Sequence, residues 1–277
     1  TANVVGYCLG GTLLALLLAY LAAKGGAERI ASATFLTTLV DFKEAGELTV
    51  FIDEEQLAAL EEKMNERGYL EGAEMANTFN MLRANDLIWS FVINNYLLGK
   101  EPFPFDLLYW NSDSTRMPAA MHSFYLRNMY QNNLLSKPNG IELDGVDIDL
   151  RKVKTPAFIL STREDHIAPW KATYVATQLY DGPVRFVLAA SGHIAGVVNP
   201  PAAGKYNHWT NTKAKSHPKN PDEWLASAEM KPGSWWPEWQ QWVAAFDDGK
   251  VPAREPGSGK LKAILDAPGS YVKVQAQ

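Results

Sequence analysis

The chain opens on a short apolar run, residues 2–7 (ANVVGY), which predicts a buried strand. Gly10-Gly11 punctuates it, and residues 12–24 predict a helix closed by Gly25-Gly26. Residues 30–40 (IASATFLTTLV) mix β-branched and apolar side chains and predict the next strand. Strand, turn, helix and strand in that order imply a parallel sheet with crossover helices.

From Asp41 to about Leu150 the pattern changes. Residues 54–67 are charged and predict a helix, aromatic helices follow over 78–98, and a Pro-rich connector (EPFPF) spans 101–105. A further aromatic helix is predicted over 119–131, with no strand of the parallel type before Val146. This block reads as a mainly helical insertion. The sheet then resumes with strands at 156–161 and 184–190, separated by a helix over 169–180 with Pro169 in its first turn. Closing helices are expected at 222–229 and 237–246, then an extended tail.

Composition narrows the function classes. Of 277 residues 47% are hydrophobic and the net charge is −5, with basic residues scattered, which argues against a nucleic-acid partner. The longest apolar stretch, residues 13–23, is shorter than the roughly 20 residues a bilayer span needs. It predicts a buried helix, and no basic region precedes it as in a signal peptide. A single cysteine excludes an internal disulfide and points to a reducing, cytosolic setting.

That cysteine sits in Gly6-Tyr7-Cys8-Leu9-Gly10, between a predicted strand and a predicted helix. This is the nucleophile-elbow pattern with Cys in place of Ser. The flanking glycines, Gly6 and Gly10, are expected where the turn leaves no room for a Cβ. The helix N-terminus beneath the thiol favours thiolate, and the Leu9 backbone N–H is a candidate oxyanion donor. An elbow nucleophile needs an acid and then a histidine further along the chain. Asp165 and His193, 28 residues apart, follow the two later strands in that order. Singly, each has a structural reading: Asp165 as a loop acid beside the equally acidic Glu164, His193 as a loop histidine with His166 as a rival base. Jointly, strand-end placement and chain order favour Cys8, His193 and Asp165 as a triad. His122, His208 and His217 have no partners at metal-ligand spacing, so neither a metal nor a cofactor is expected. The cluster Trp235, Trp236, Trp239 and Trp242 reads as core packing, with an apolar docking patch as the other reading.

Longer strings resemble one family. They include GYCLGG (6–11), FLTT (35–38), ANTF (76–79), LRANDLIW (82–89), PFDLLYWN (104–111), REDHIAPW (163–170), SGHIAGVVNPP (191–201), NHWTN (207–211) and GSWWP (233–237). The chain resembles the catalytic domain of class I polyhydroxyalkanoate synthases over nearly its whole length. The resemblance implies an α/β-hydrolase-like, mostly parallel sheet with a mainly helical cap, here core 1–40, cap 41–150, and core with tail 151–277. It implies further N-terminal core strands, beside residues 2–7, that are missing from this chain and would supply the second oxyanion donor. The 277-residue piece alone is then expected to be poorly soluble and weakly active.

The implied activity is polymerisation of (R)-3-hydroxyacyl-CoA, notably 3-hydroxybutyryl-CoA, into polyester, with coenzyme A as carrier and released product. Cys8 is then the acylated nucleophile and His193 the base. Asp165 orients His193 or helps activate the incoming 3-hydroxyl, while Arg83, Trp110 and His166 contribute to substrate binding. A homodimer in the cytoplasm, bound at polyester granules, is implied by the resemblance alone. Two other readings stay open: a cysteine-elbow thioesterase releasing free hydroxy acid, and an inactive truncated homologue acting as a granule-binding partner.

Overall fold

Strand β7, Ala157–Thr162, is buried at all six positions, as expected of an apolar run covered on both faces. It is the spine of a six-stranded sheet of order β1-β2-β7-β8-β9-β10. β1 (Ala2–Tyr7), β2 (Ile30–Leu36), β7 and β8 (Val184–Ala189) run parallel, while β9 (Asn207–Thr210) and β10 (Glu229–Pro232) add antiparallel. The computed structural model describes residues 1–82, 84–102, 113–213, 216–247 and 249–274. They form two compact units, one of 1–57 and 124–247, the other of 58–123 and 248–277.

Alternation along each strand divides the first unit's core between the two sheet faces. On one face Phe35, Ile159, Phe186 and Leu188 pack with Leu14, Ala15 and Leu18 of α1 (Leu9–Lys24). On the other, Leu36, Phe158, Leu160 and Val187 pack with Trp235, flanked by Trp236, Trp239 and Trp242. These tryptophans are core, as the sequence suggests. The Trp235 indole N–H lies 3.1 Å from the carbonyls of Gly196 and Val197, and that of Trp239 donates to Thr34 Oγ1 at 2.9 Å.

Several elements differ from expectation for local reasons. β2 stops at Leu36 because Thr37 turns to φ 45° and gives its N–H to Leu160 O at 2.7 Å. The strand at Val146 does not resume the sheet; β5 (Ile141–Leu143) and β6 (Val146–Ile148) form a separate hairpin. The predicted 169–180 helix is two short ones, Trp170–Tyr174 and Ala176–Leu179, with Pro169 as cap. A helix at Pro221–Ser227 ends early, so Glu229 begins β10. The described residues 249–274 of the tail are irregular, with a 3₁₀ turn at Tyr271–Lys273. α1 is apolar all round, yet Leu13 and Leu17 are 65% and 44% exposed, and Val5 of β1 is 57% exposed. β1 is the edge of the described sheet, so this stripe has no strand beside it.

The second unit has a small core of Met64, Leu70 and Ala119, packed by Leu60, Met75 and Met117. It holds most of α2 (Glu54–Arg67), the ribbon of β3 (Tyr69–Leu70) with β4 (Met117–Pro118), and α3 (Gly72–Leu82). Its aromatic stretch continues as π-helical segments at Asn85–Trp89 and Val92–Leu97. Among the described residues no helix is long and apolar enough to cross a membrane, and no cluster of His, Cys, Asp and Glu suits a metal ion.

Candidate active site

β1 leads directly into the turn at Cys8. The Cys8 N–H donates to Leu36 O at 2.9 Å, and the Cys8 carbonyl accepts from Gly11 N at 2.9 Å and Thr12 N at 3.2 Å. Cys8 itself sits at φ 52°, a left-handed conformation that costs an ordinary side chain strain and tends to occur at functional turns. The glycine requirement differs from the expected flanks. A Cβ on Gly6 would lie 2.6 Å from Gly11 Cα, and one on Gly11 1.8 Å from Thr38 Oγ1, whereas one on Gly10 would meet nothing within 4 Å. Gly6 and Gly11 are therefore the sterically required pair. Leu9 opens α1, where a first-turn amide has no intrahelical acceptor.

The loop after β7 presents Asp165 with its side chain fully enclosed. Asp165 Oδ1 accepts from the N–H groups of Ile167 at 2.8 Å and Ala168 at 2.9 Å; Oδ2 accepts from Thr162 Oγ1 at 3.2 Å. Oδ2 also lies 2.7 Å from His193 Nδ1 in the loop after β8. An ionised carboxylate only accepts, so Nδ1 donates, and Nε2 is the nitrogen left to serve Cys8, whose side chain is near enough to raise the His193 pKa. Burial alone would lower the His193 pKa. The hydrogen bonds to Asp165 and Cys8, with the charges behind them, override it and push the value up to about 9.

The neighbours are sorted by this geometry. Glu164 is exposed, with its N–H bonded to Ser191 O, and the carboxylate beside His193 belongs to Asp165. His166 is half-buried in the same loop, its carbonyl oxygen 3.0 Å from where a Gly46 Cβ would stand. Arg83 and Trp110 lie outside the described residues. His208 and His217 are tied to backbone carbonyls, and burial lowers the pKa of His122, His208 and His217.

Sequence reasoning passes over Tyr7, whose hydroxyl donates to His193 O at 2.7 Å and whose ring stacks on the imidazole. Its only sequence signal is a polar hydroxyl next to Cys8 in an otherwise apolar strand. Tyr125 and Tyr130 are also unforeseen. Their rings meet edge-on 5.5 Å apart, both against Phe42, and burial with the nearby Cys8 charge holds both phenols well above the usual tyrosine value. The left-handed residues Thr37 and Ser191 stand at the strand ends that frame Cys8 and His193.

Known proteins share this sequence. The chain is 56% identical over 274 residues to the poly(3-hydroxyalkanoate) polymerase subunit PhaC of Rhizobium meliloti (strain 1021), covering 99% of this chain and 44% of that protein. Identity is 57% over 272 residues to the poly(3-hydroxyalkanoate) polymerase of Methylorubrum extorquens, covering 98% and 44%. It is 46% over 281 residues to the PhaC subunit of Cupriavidus necator, covering 99% and 47%. The chain thus spans a little under half the length of each of these relatives. The model of the alpha/beta hydrolase fold matches residues 1–200, in keeping with the parallel sheet, and the chain belongs to that family.

Proposed function

We propose that this chain carries the chemistry of a polyester synthase, joining (R)-3-hydroxyacyl units from coenzyme A thioesters and releasing coenzyme A. The observation that carries the reading is the 2.7 Å contact of His193 Nδ1 with the Asp165 carboxylate, at strand ends next to the turn that holds Cys8. Similarity to poly(3-hydroxyalkanoate) polymerases supports a polyester product.

Cys8 thiolate attacks the thioester carbonyl, the oxyanion is met by the Leu9 N–H, and the C–S bond to coenzyme A breaks. The His193 imidazolium returns its proton to the departing sulfur. The 3-hydroxyl of a growing chain then attacks the acyl–Cys8 thioester, giving its proton to His193 as the new ester forms and Cys8 leaves as thiolate. A thiol exchanging with a thioester is nearly balanced, which suits a repeating cycle. Asp165 fixes the tautomer and orientation of His193 and stabilises its positive charge. Arg83, Trp110 and His166 as substrate contacts, and a cytoplasmic homodimer at the granule surface, belong to the same reading.

The test is incubation of the longest natural form containing this chain with (R)-3-hydroxybutyryl-CoA, following coenzyme A release and polymer together, beside Cys8→Ala. Release with insoluble polymer, lost in the variant, is the expected result. Release with only free 3-hydroxybutyrate makes the protein a thioesterase, and no release overturns the enzymatic reading.

A further inference from the structure

Asn133 joins two stretches of the first unit that lie far apart in sequence. Its Oδ1 accepts the Phe42 N–H at 2.8 Å, and its Nδ2 donates to Asp41 Oδ1 at 2.9 Å. That carboxylate oxygen also takes the Lys43 N–H at 2.9 Å. Both partners demand the same orientation of the amide, because an N–H only donates and a carboxylate only accepts. The backbone at Asn133 is left-handed, φ 48°, which asparagine tolerates better than most residues. Its own N–H donates to Met129 O at 2.9 Å, and Met129 and Leu135 on either side are buried, so this arm is anchored in the core. Phe42 adds a second tie, since its ring meets Tyr130 and Tyr125 of the same arm edge-on, at 4.9 and 5.8 Å.

The other end of the stretch that contains Asp41 and Phe42 is tied to the nucleophile turn. The Cys8 N–H donates to Leu36 O at 2.9 Å, and the Thr12 hydroxyl donates to Leu39 O at 2.7 Å. The Thr12 N–H in turn donates to the Cys8 carbonyl at 3.2 Å. Thr37, Thr38, Leu39 and Val40 lie between these ties and are all buried, so a shift at Phe42 has no solvent into which to relax. A continuous path therefore runs from Cys8 through Thr12 and Leu39 to Asp41, Phe42 and Asn133.

We infer that Asn133 is a positioning residue for Cys8: by fixing Asp41 and Phe42 it holds residues 36–42, and with them the turn at Cys8, to the arm on which the chain re-enters the first unit. The inference rests on the reading of Cys8 as the acylated nucleophile. A non-glycine residue at φ 52° persists only where its surroundings over-determine it. Residues 36–42 supply three of those constraints: the Leu36 carbonyl, the Leu39 carbonyl, and Thr38 pressed against Gly11. Freeing this stretch at Phe42 lets the thiol stray from His193. That is a loss of orientation and not of substrate binding, so it acts on kcat and leaves KM alone.

The experiment uses the longest natural form containing this chain and reads two rates: coenzyme A release from (R)-3-hydroxybutyryl-CoA, and alkylation of Cys8 followed on its own peptide by mass spectrometry. Asn133→Asp keeps the side-chain shape and the Phe42 bond but sets a second carboxylate against Asp41. Asn133→Gly removes both bonds and is at ease with φ 48°, so it decides the matter should the first variant fail to fold. In both, kcat is expected to fall on the order of tenfold with KM unchanged. Alkylation near neutral pH should slow several-fold as His193 holds less of the thiol as thiolate. Adding Asp41→Asn to Asn133→Asp sets a donor against an acceptor again and should recover most of both losses. Glu238→Gln is the control: it loosens contacts to Arg185 and Lys231 at the far edge of the sheet and should lower the melting temperature with neither rate changed. Wild-type kcat and alkylation in both Asn133 variants, or the same losses in Glu238→Gln, overturn the assignment and leave the synthase reading standing. A wild type that releases no coenzyme A removes the synthase reading, and Cys8 alkylation then decides the role of Asn133 alone.

Discussion

The Tyr7 hydroxyl donates to the main-chain carbonyl of His193 at 2.7 Å, and the two rings stack with centroids 5.3 Å apart. The residue before the nucleophile thereby clamps the loop that brings the base, 186 positions away. Tyr7→Phe keeps the ring and loses the bond. It should cost about 1 kcal/mol of stability and lower coenzyme A release several-fold, as His193 samples misplaced positions. Tyr7→Ala should be worse on both counts. Melting curves and release rates check this; a melting drop with unchanged turnover would show that the clamp serves folding alone.

Asp165 accepts two backbone N–H bonds, one hydroxyl and the His193 ring N–H, so Asp165→Asn preserves shape while removing the charge and one acceptor. His193 should then titrate well below its present value of about 9, since burial is left with less opposition. Release of coenzyme A should fall on the order of 10³-fold or more. The sign for stability follows from the raised value. The contribution is complete below about 6.5, the unperturbed histidine value, and is lost as pH rises through about 9. Wild type should therefore lose stability on the alkaline side and Asp165→Asn should lose less. An NMR titration of the His193 ring that stays near 9 in the variant would remove Asp165 from this role.

The parts of the fold legible in the sequence are those whose burial is local and complete. β7 is apolar on both faces, β1 and α1 bracket a glycine-marked turn, and α2 reads as a charged helix. β9 and β10 were not legible because each is four residues long, and their pairing comes from partners distant in sequence. The helices read over 78–98 and 119–131 are present, and only the π-helical winding of 85–89, 92–97 and 126–131 goes unread, because it departs from a 3.6-residue period. Within the site, Cys8, Asp165 and His193 stand out because chain order and strand ends reveal them. Tyr7, Tyr125 and Tyr130 do not, since their relation to Cys8 and His193 exists only in three dimensions.

Glu238 ties the far edge of the sheet together. Its Oε1 lies 2.7 Å from Arg185 of β8 and its Oε2 3.2 Å from Lys231 of β10, with the carboxylate almost wholly enclosed. Burial alone would raise its pKa, but Lys231 and Arg185 outweigh it and hold the carboxyl below the usual glutamate range. A lowered value means stability present above the unfolded pKa and lost as pH falls through the folded one. Glu238→Gln should cost about 2 kcal/mol near neutral pH, since Arg185 and Lys231 keep partial access to water, and the gap to wild type should close on acidification. Denaturant melts at both pH values decide it; a gap that persists in acid would assign the loss to packing.

The elbow offers a comparison between adjacent glycines. Gly10 is exposed, with open space around its Cβ position, so Gly10→Ala should be tolerated and should add up to about 1 kcal/mol through helix propensity. Gly11 faces Thr38, whose Oγ1, Cβ and Cγ2 would lie 1.8, 2.7 and 2.7 Å from an added methyl. Thr38 is 2% exposed and has nowhere to retreat. Gly11→Ala must therefore push the start of α1 away from the sheet or distort the turn, at a cost of about 3 kcal/mol. Because Cys8 occupies that turn, its reaction with a thiol reagent should change in Gly11→Ala and not in Gly10→Ala. Thermal melts with alkylation rates test the pair, and equal stability of the two variants would mean that Thr38 yields and the close approach sets nothing.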